Sequence, residues 1–401
     1  MPQAFSSIRV LDFSQVFAGP YATFQLALLG ADVVKIEQPG KGDQARHLMA
    51  GPPFDAVGQA PGFMALNANK RSLTVDLKHD RAAEIIHRLA AQADVVVENF
   101  RAGVIDRLNF GYEALAGINP RLVYCSISGY GQSGPRQNDP AYDGAVQASS
   151  GMMSMTGHPG QAPTRAGYTV VDISTGMSAA FAIAAALHRR SVTGAGQYLD
   201  VSMLDSAMNV MGPQISNYLN AGVVPELFGN RSPTAQPTGD VFKTADGFIQ
   251  ISALLDRQVA LLCDRLGRAD LLDDPRFASA DARIENADAM RAELAAAFAQ
   301  KPTGEWLETL LAANVVCAAI NTVPDAVRDP QLAHRTILQK TSAPPGLDGD
   351  ITLVNAAFKA DADGAAINRP PPSVGQHTDE VLQELGYDQT AIAELRASSV
   401  I

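Results

Sequence analysis

The chain has 401 residues, of which 46% are hydrophobic and 18% are charged. This composition is typical of a folded globular protein and excludes an intrinsically disordered one, and the length favours two domains over a single core. The net charge of −11 disfavours a nucleic-acid or anionic-membrane partner, because both require a basic face.

Short β-branched runs alternate with helical segments in the first third of the chain. The pattern predicts strands at 8–13, 31–37, 72–77, 94–98 and 122–128, and helices at 21–29 and 79–92. Strands that alternate with helices indicate βαβ units and a mostly parallel sheet covered on both faces. We therefore predict an α/β fold with a Rossmann-like layout.

The remaining chain predicts a second, smaller unit. A long alanine-rich helix is expected at 174–190, followed by loop-rich sequence at 218–237. A strand at 248–253 and a helix at 289–300 indicate a small α+β domain, and a last amphipathic helix is expected at 378–386. The predicted division is a large domain of 1–215 and 326–401, with linkers and the small domain in 216–325.

Cysteine and histidine spacing argues against a metal site. Cys125, Cys263 and Cys317 are far apart in apolar surroundings, and the seven histidines form no metal-binding pair. Core thiols suit a reducing cytosol, and neither a leader-like amino terminus nor a run of about 18 apolar residues is evident. We expect a cytoplasmic protein without a membrane span.

Gly129 to Gly134 matches the dinucleotide fingerprint G-x-G-x-x-G after a predicted strand. Pro135 and Pro140 stand where a helix would have to open, so an ordinary glycine-rich turn is favoured over NAD binding. The sequence contains no Gly-x-Ser-x-Gly elbow and no Walker loop, which leaves a hydrolase triad or a P-loop without support.

Asp172 lies between apolar neighbours at the beginning of the alanine-rich helix. One interpretation is a helix N-cap, which is the commoner role for such an aspartate. The other is a carboxylate nucleophile, kept ionised by the helix dipole and needing no general base at neutral pH. The residues alone leave both open.

Further polar residues follow predicted strands. Tyr142 and Asp143 form a polar pair in a loop. Asn99, Phe100 and Arg101, with Arg107 just beyond, follow the strand at 94–98, where α/β sheets bind ligands. In an acidic chain, basic residues beside strands are natural phosphate partners. Those residues are Lys41, Arg46, Lys70, Arg71 and Lys78. Solvated loops are the alternative.

Taken together, the motifs resemble the class III CoA-transferases in order and spacing. They run nearly end to end and are the following: Asp12-Phe13-Ser14-Gln15, 29–37, Asn69-Lys70-Arg71-Ser72, Glu98-Asn99-Phe100-Arg101, Ser128-Gly129-Tyr130-Gly131, Tyr142-Asp143, the Asp172 segment, 193–203, Asp274-Pro275-Arg276-Phe277, Asp329-Pro330-Gln331 and Gly375-Gln376-His377-Thr378.

The resemblance implies an interlocked homodimer and a covalent role for Asp172, with Gln15, Tyr142 and Asp143 in the catalytic site. By the same transfer, coenzyme A contacts fall on Val16, Val75, Lys78, Asn99, Phe100 and Arg107. The substrates are an acyl-CoA and a small carboxylic acid, and no cofactor beyond the CoA thioester is required. Aspartyl mixed-anhydride and aspartyl-CoA thioester intermediates are implied.

The chain departs from formyl-CoA transferase at Phe17 and Gln38, where that enzyme has glutamine and arginine, so oxalate and formate are not implied. The similar 2-methylacyl-CoA racemases offer an alternative, acid/base activity. They place a histidine where this chain has Tyr142, and a neutral phenol is a poor base for an α-proton. Arg165 and Arg231 are candidates for pairing with the second carboxylate of a succinate-like substrate.

Overall fold

A six-stranded parallel sheet forms the centre of the computed structural model, which describes residues 2–401. The strands are β1 (Arg9–Asp12), β2 (Asp32–Glu37), β3 (Arg71–Thr74), β4 (Val95–Glu98), β5 (Val123–Ser128) and β6 (Gln197–Ser202). Their order is β3-β2-β1-β4-β5-β6, and every neighbouring pair is parallel. This is the doubly wound order of Rossmann folds, and it confirms the predicted α/β sheet.

Both faces of the sheet are buried, which explains the continuous apolar strands. Along β4, Val95 and Val97 pack into one core with Ala179, whereas Val96 packs into the opposite core with Ile85. Successive side chains of a strand point to opposite faces, so both neighbours must be apolar when helices cover both sides.

Nine helices accompany this sheet before the chain leaves it, in the part of the sequence that precedes residue 222. They are α1 (Ala18–Leu28), α2 (Pro61–Asn67), α3 (Ala82–Gln92), α4 (Val104–Arg107), α5 (Tyr112–Ile118), α6 (Asp143–Ser149), α7 (Val170–Thr193), α8 (Met203–Val210) and α9 (Gly212–Ala221). Short 3-10 helices span Gln44–Arg46, Asp55–Val57, Met152–Met155 and Ala269–Leu272. Helix α7 begins at Val170 rather than at residue 174, which places Asp172 in its first turn.

By length and composition alone, α7 is long and apolar enough to cross a membrane. The sequence of α7 is nevertheless interrupted by polar residues such as Asp172, so it is not a continuous apolar run. The helix packs against α1, β5 and β6, and Ala179, Ile183 and Ala186 lie in the core beneath the sheet. These contacts are those of a core helix, a class that passes the same test.

A second compact unit comprises Met153–Arg165 and Val223–Asp329. Its antiparallel sheet contains β7 (Val241–Lys243), β8 (Phe248–Ile251) and β9 (Cys317–Ala319). Its helices are α10 (Asp256–Arg265), α11 (Ala280–Glu285), α12 (Ala287–Phe298), α13 (Thr303–Ala312) and α14 (Val323–Ala326). In its core Phe242 stacks on Phe298, and Phe298 meets Trp306 edge to face.

The carboxyl-terminal segment returns to the first unit, which comprises Met1–Met152, Ala166–Gly222 and Pro330–Ile401. Its elements are α15 (Pro330–Arg335), β10 (Leu338–Ser342), β11 (Asp350–Val354), α16 (Thr378–Glu384) and α17 (Gln389–Ala397). Ile392 and Leu395 complete the core on the β3 side. The predicted domain bounds at 215 and 326 remain a prediction.

Candidate active site

A cavity of about 370 Å³ lies at the carboxyl ends of β1 and β4. The strand order reverses between these two neighbours, and such a switch point is where doubly wound folds bind ligands. Six of the residues predicted for the site line the cavity: Gln15, Val16, Asn99, Phe100, Tyr142 and Asp172. The fold thus brings together residues from four separate parts of the sequence.

Asp172 is the third residue of α7 and is not its N-cap, which is Thr169. Among residues 2–401, none donates a hydrogen bond to the Asp172 carboxylate, although the side chain is only partly exposed. The structure therefore does not support the N-cap interpretation of this aspartate. The Asp172 carboxylate lines the cavity and accepts no hydrogen bond from residues 2–401.

Asp143, the first residue of the neighbouring helix α6, caps the start of α7. One carboxylate oxygen accepts the backbone N–H of Val171 at 2.8 Å and that of Asp172 at 3.2 Å. Its other oxygen accepts the Gln147 amide at 2.6 Å. The buried Asp143 side chain satisfies amides that a helix start leaves unpaired, and so fixes the backbone that carries Asp172.

Burial, and to a lesser extent the negative charge of Asp143, together raise the pKa of Asp172 to about 7. The α7 dipole acts in the opposite direction, because it favours a negative charge at the start of a helix. The expectation that the dipole keeps Asp172 ionised at neutral pH stays a prediction, and burial acts against it. Near pH 7, about half of the free protein carries the ionised form.

Asn99 ties the end of β4 to the turn after β1. Its side-chain oxygen accepts the Gln15 backbone N–H at 2.8 Å, and its amide nitrogen donates to the Gln15 carbonyl at 2.8 Å. The buried Glu98 carboxylate accepts the Phe100 N–H at 2.8 Å and so fixes the backbone on either side of Asn99. Burial raises the pKa of Glu98 to about 7.

Three of the predicted coenzyme A residues do not line the cavity. Val75 is fully buried in the core, so its side chain is not available to a ligand there. Lys78 and Arg107 are exposed and lie outside the lining. Arg165 and Arg231 are exposed residues of the second unit.

Several predicted phosphate partners are instead structural. Lys70 pairs with Asp12 at 2.9 Å, and Arg46 pairs with Glu37 at 2.7 Å; all four side chains are buried. Arg71 is also buried, and its guanidinium is occupied by Asp32 and two glutamates. The interpretation of these three cations as phosphate ligands is not supported, because each is buried and its charge is already paired with carboxylates.

Arg101 and Phe17 also line the cavity. Arg101 is exposed and belongs to the Asn99-Phe100-Arg101 segment that was expected at the ligand-binding edge, whereas Phe17 was not a predicted site residue. Phe17 packs near Gly62 of α2, where an added Cβ would lie 3.5 Å from the ring. Nothing in the local sequence indicates that contact.

The glycine-rich motif after β5 is a turn. The chain from 129 to 142 has no helix before α6, and an added Cβ at Gly129 would lie 2.2 Å from that of Ala141. This confirms the expectation of an ordinary turn over a dinucleotide fingerprint. Within residues 2–401, no group of three or more His, Cys, Asp or Glu is placed to hold a metal ion.

Comparison with known proteins identifies the family. The model of CoA-transferase family III matches residues 5–378. Succinyl-CoA:glutarate CoA-transferase of Mus musculus is 35% identical over 395 residues, which cover 98% of this chain and 89% of the relative. Succinyl-CoA:mesaconate CoA-transferase of Haloarcula marismortui is 38% identical over 393 residues, which cover 96% and 97%.

The solved structures agree with this result. A CAIB/BAIF family protein from Brucella suis superposes with a TM-score of 0.86 at 34% identity, covering 96% of this chain and 100% of that one. The predicted resemblance is thereby confirmed over nearly the whole chain. The protein belongs to CoA-transferase family III.

Proposed function

We propose that this CoA-transferase moves coenzyme A between carboxylic acids through covalent attachment to Asp172. The observation that carries the proposal is the unpartnered Asp172 carboxylate in the cavity at the switch point of the sheet. A nucleophile must have a free lone pair, and the absence of donors keeps one available. All three cysteines are free, which supports a reducing, cytoplasmic setting.

The exchange proceeds in balanced steps. An Asp172 oxygen attacks the thioester carbon of the donor, the C–S bond breaks, and a mixed anhydride and CoA thiolate result. The thiolate attacks the aspartyl carbonyl, forming an aspartyl-CoA thioester and releasing the donor acid. The acceptor carboxylate then attacks this thioester, its C–S bond breaks, and a second mixed anhydride and CoA thiolate result. The thiolate attacks the acceptor acyl carbon of this anhydride, which forms the acceptor acyl-CoA and frees Asp172. Water must be excluded throughout, because hydrolysis would waste the thioester.

The neighbouring residues have separate roles in this scheme. Asp143 positions Asp172 through the α7 amides, so it acts on the nucleophile and not on the substrate. Gln15 and Tyr142 line the same cavity and offer polar groups to the thioester and anhydride oxygens. Asn99 and Phe100 adjoin the coenzyme, and exposed Lys78, Arg101 and Arg107 are available to its phosphates.

We further propose a dicarboxylic acid substrate with succinyl-CoA as donor. Support comes from relatives named for succinyl-CoA with glutarate or with mesaconate. Arg165 and Arg231 are the proposed partners of the distal carboxylate. Arg165→Ala and Arg231→Ala should then raise the KM for succinyl-CoA at least about tenfold but leave the KM for acetyl-CoA unchanged. Equal changes for both donors would contradict this assignment.

An interlocked homodimer is proposed from the resemblance and from exposed apolar surface. Phe181 of α7 is 77% exposed, Leu219 of α9 is 72% exposed, and α9 has no buried residue. A second copy of this chain would cover such a surface. Sedimentation equilibrium should give twice the monomer mass of 42.3 kDa. A monomer at micromolar concentration would contradict the proposal.

The covalent route is tested by mass spectrometry of protein incubated in heavy water with a panel of acyl-CoA donors. Quenching with hydroxylamine or borohydride and digestion should give a modified peptide that contains Asp172. Unmodified Asp172 together with deuterium at the α-carbon of a branched acyl-CoA would instead indicate the racemase activity.

A further inference from the structure

Within the part of the chain that the structure describes, the backbone groups of the turn that contains Gln15 form hydrogen bonds with side chains and not with the backbone of other segments. The Asn99 side chain accepts from the Gln15 N–H and donates to the Gln15 carbonyl. The Val16 N–H donates to Asp43 at 3.0 Å, and the Ser14 carbonyl accepts from Lys35 at 2.8 Å. Backbone polar groups of three consecutive residues thus depend on distant parts of the chain.

Val16 has a φ of 71°, in the left-handed region. A β-branched residue is strained there and keeps such a conformation only where its surroundings impose it. The Asp43 carboxylate supplies this constraint, because it accepts the Val16 N–H with both oxygens, at 3.0 and 3.3 Å. Backbone strain of this kind concentrates at functional sites.

Asp43 is itself fixed from several directions. It forms a fully buried ion pair with Lys35 at 2.8 Å, and it accepts the Ala45 N–H at 2.8 Å. Its own N–H donates to Glu37 at 2.8 Å. Lys35 therefore contacts both the Ser14 carbonyl and the side chain that holds Val16, which joins the two ends of the turn.

We propose that Asp43, together with Asn99, is a positioning residue that holds the strained Ser14–Val16 turn so that Gln15 faces the Asp172 side of the cavity. The proposal rests on the proposed function, because it assigns Gln15 to the reacting thioester. Asp43 does not line the cavity, so it acts through the turn and not through the substrate. A displaced turn should lower kcat while leaving the binding of the coenzyme nearly unchanged.

The first test compares Asp43→Asn with Asp94→Asn in the full-length protein. Asp94 pairs with Arg190 at 2.8 Å and accepts the Arg9 N–H at the opposite end of the same sheet. Asp43→Asn should lower kcat by about 10²-fold, with the KM for acyl-CoA changed by less than about threefold. Asp94→Asn should lower the Tm but keep kcat within about twofold. Equal kcat in both folded variants would overturn the proposal.

Val16→Gly tests the turn without disturbing the buried charges. Glycine fits the positive φ, so the Tm should stay the same or rise, while the loosened turn lowers kcat at least about fivefold. A purely structural role predicts unchanged kcat per folded molecule. Should Asp43→Asn fail to fold, an unchanged kcat in Val16→Gly would by itself overturn the proposal.

Amide hydrogen exchange separates this inference from the proposed function. In wild-type protein the Gln15 and Val16 amides should be protected, and both Asp43→Asn and Val16→Gly should accelerate their exchange at least about tenfold. Unprotected amides in the wild type would contradict the constrained turn. Protected amides in a protein that transfers no CoA would contradict the proposed function and leave the constrained turn standing.

Discussion

Asp12 and Asp172, two aspartates of the same unit, show how partners change the chemistry of a carboxylate. Asp12, at the end of β1, is fully buried, yet Lys70, Lys35, Ser14 and Thr23 outweigh its desolvation and lower its pKa to about 2. Asp172, at the start of α7, is less buried, but burial and a nearby carboxylate raise its pKa to about 7.

The difference shows that burial alone does not decide the state of a carboxylate. At the end of β1 every oxygen is paired, which fixes the loop that leads into the site. At the start of α7 the backbone is fixed by Asp143 while the carboxylate remains unpaired. Paired carboxylates organise structure, and an unpaired carboxylate in a cavity is available for reaction.

The largest effect should follow from removing the unpaired carboxylate. Asp172→Asn should lower CoA transfer by at least about 10⁴-fold, because an amide cannot form the anhydride. The Tm should stay the same or rise, since a buried charge has been removed. Transfer between acids can be followed chromatographically; a loss below about tenfold would contradict the covalent role.

Removing one partner of the paired carboxylate should mainly affect stability. Lys70→Met should lower the free energy of unfolding by about 3–5 kcal/mol, because it leaves Asp12 buried and less compensated. The double variant Asp12→Asn/Lys70→Met should recover part of the loss. Arg88→Met, which breaks an exposed pair with Glu84, should cost about 0.5 kcal/mol or less. Equal losses of unfolding free energy for Lys70→Met and Arg88→Met, measured in urea, would contradict the contrast between the buried and the exposed ion pair.

The raised pKa of Asp172 predicts a pH dependence. Because the ionised form is the nucleophile, kcat/KM for the donor should rise with pH, with a midpoint near 7. Below the midpoint it should fall by about tenfold for each pH unit. A flat kcat/KM between pH 5 and 8 would show that Asp172 is already ionised in the free protein.

Asp143→Asn should shift this midpoint to lower pH by about one unit or less. The variant removes the negative charge that raises the Asp172 pKa and keeps an oxygen that can cap α7. Glu113→Gln, an exposed carboxylate-to-amide change on α5, should leave the midpoint unchanged. A shift to higher pH would mean that Asp143 does not act on Asp172 through its charge.

Local periodicity was sufficient to predict much of the fold. Strands at 94–98 and 122–128 are found as β4 and β5 because β-branched runs long enough to cross a two-sided sheet leave little choice of structure. The helix boundaries were less certain, as the earlier start of α7 shows. Family motifs also identified six residues that line the cavity.

Only the tertiary structure decided which charged residues are free. In the sequence, Lys70, Arg46 and Lys78 all read as cations beside strands, but the first two are buried in ion pairs and only Lys78 is exposed. Likewise, Asp143 and not Asp172 caps α7. The physical reason is that pairing and desolvation depend on distances between residues far apart in the chain, whereas local propensity and periodicity are properties of neighbours along it.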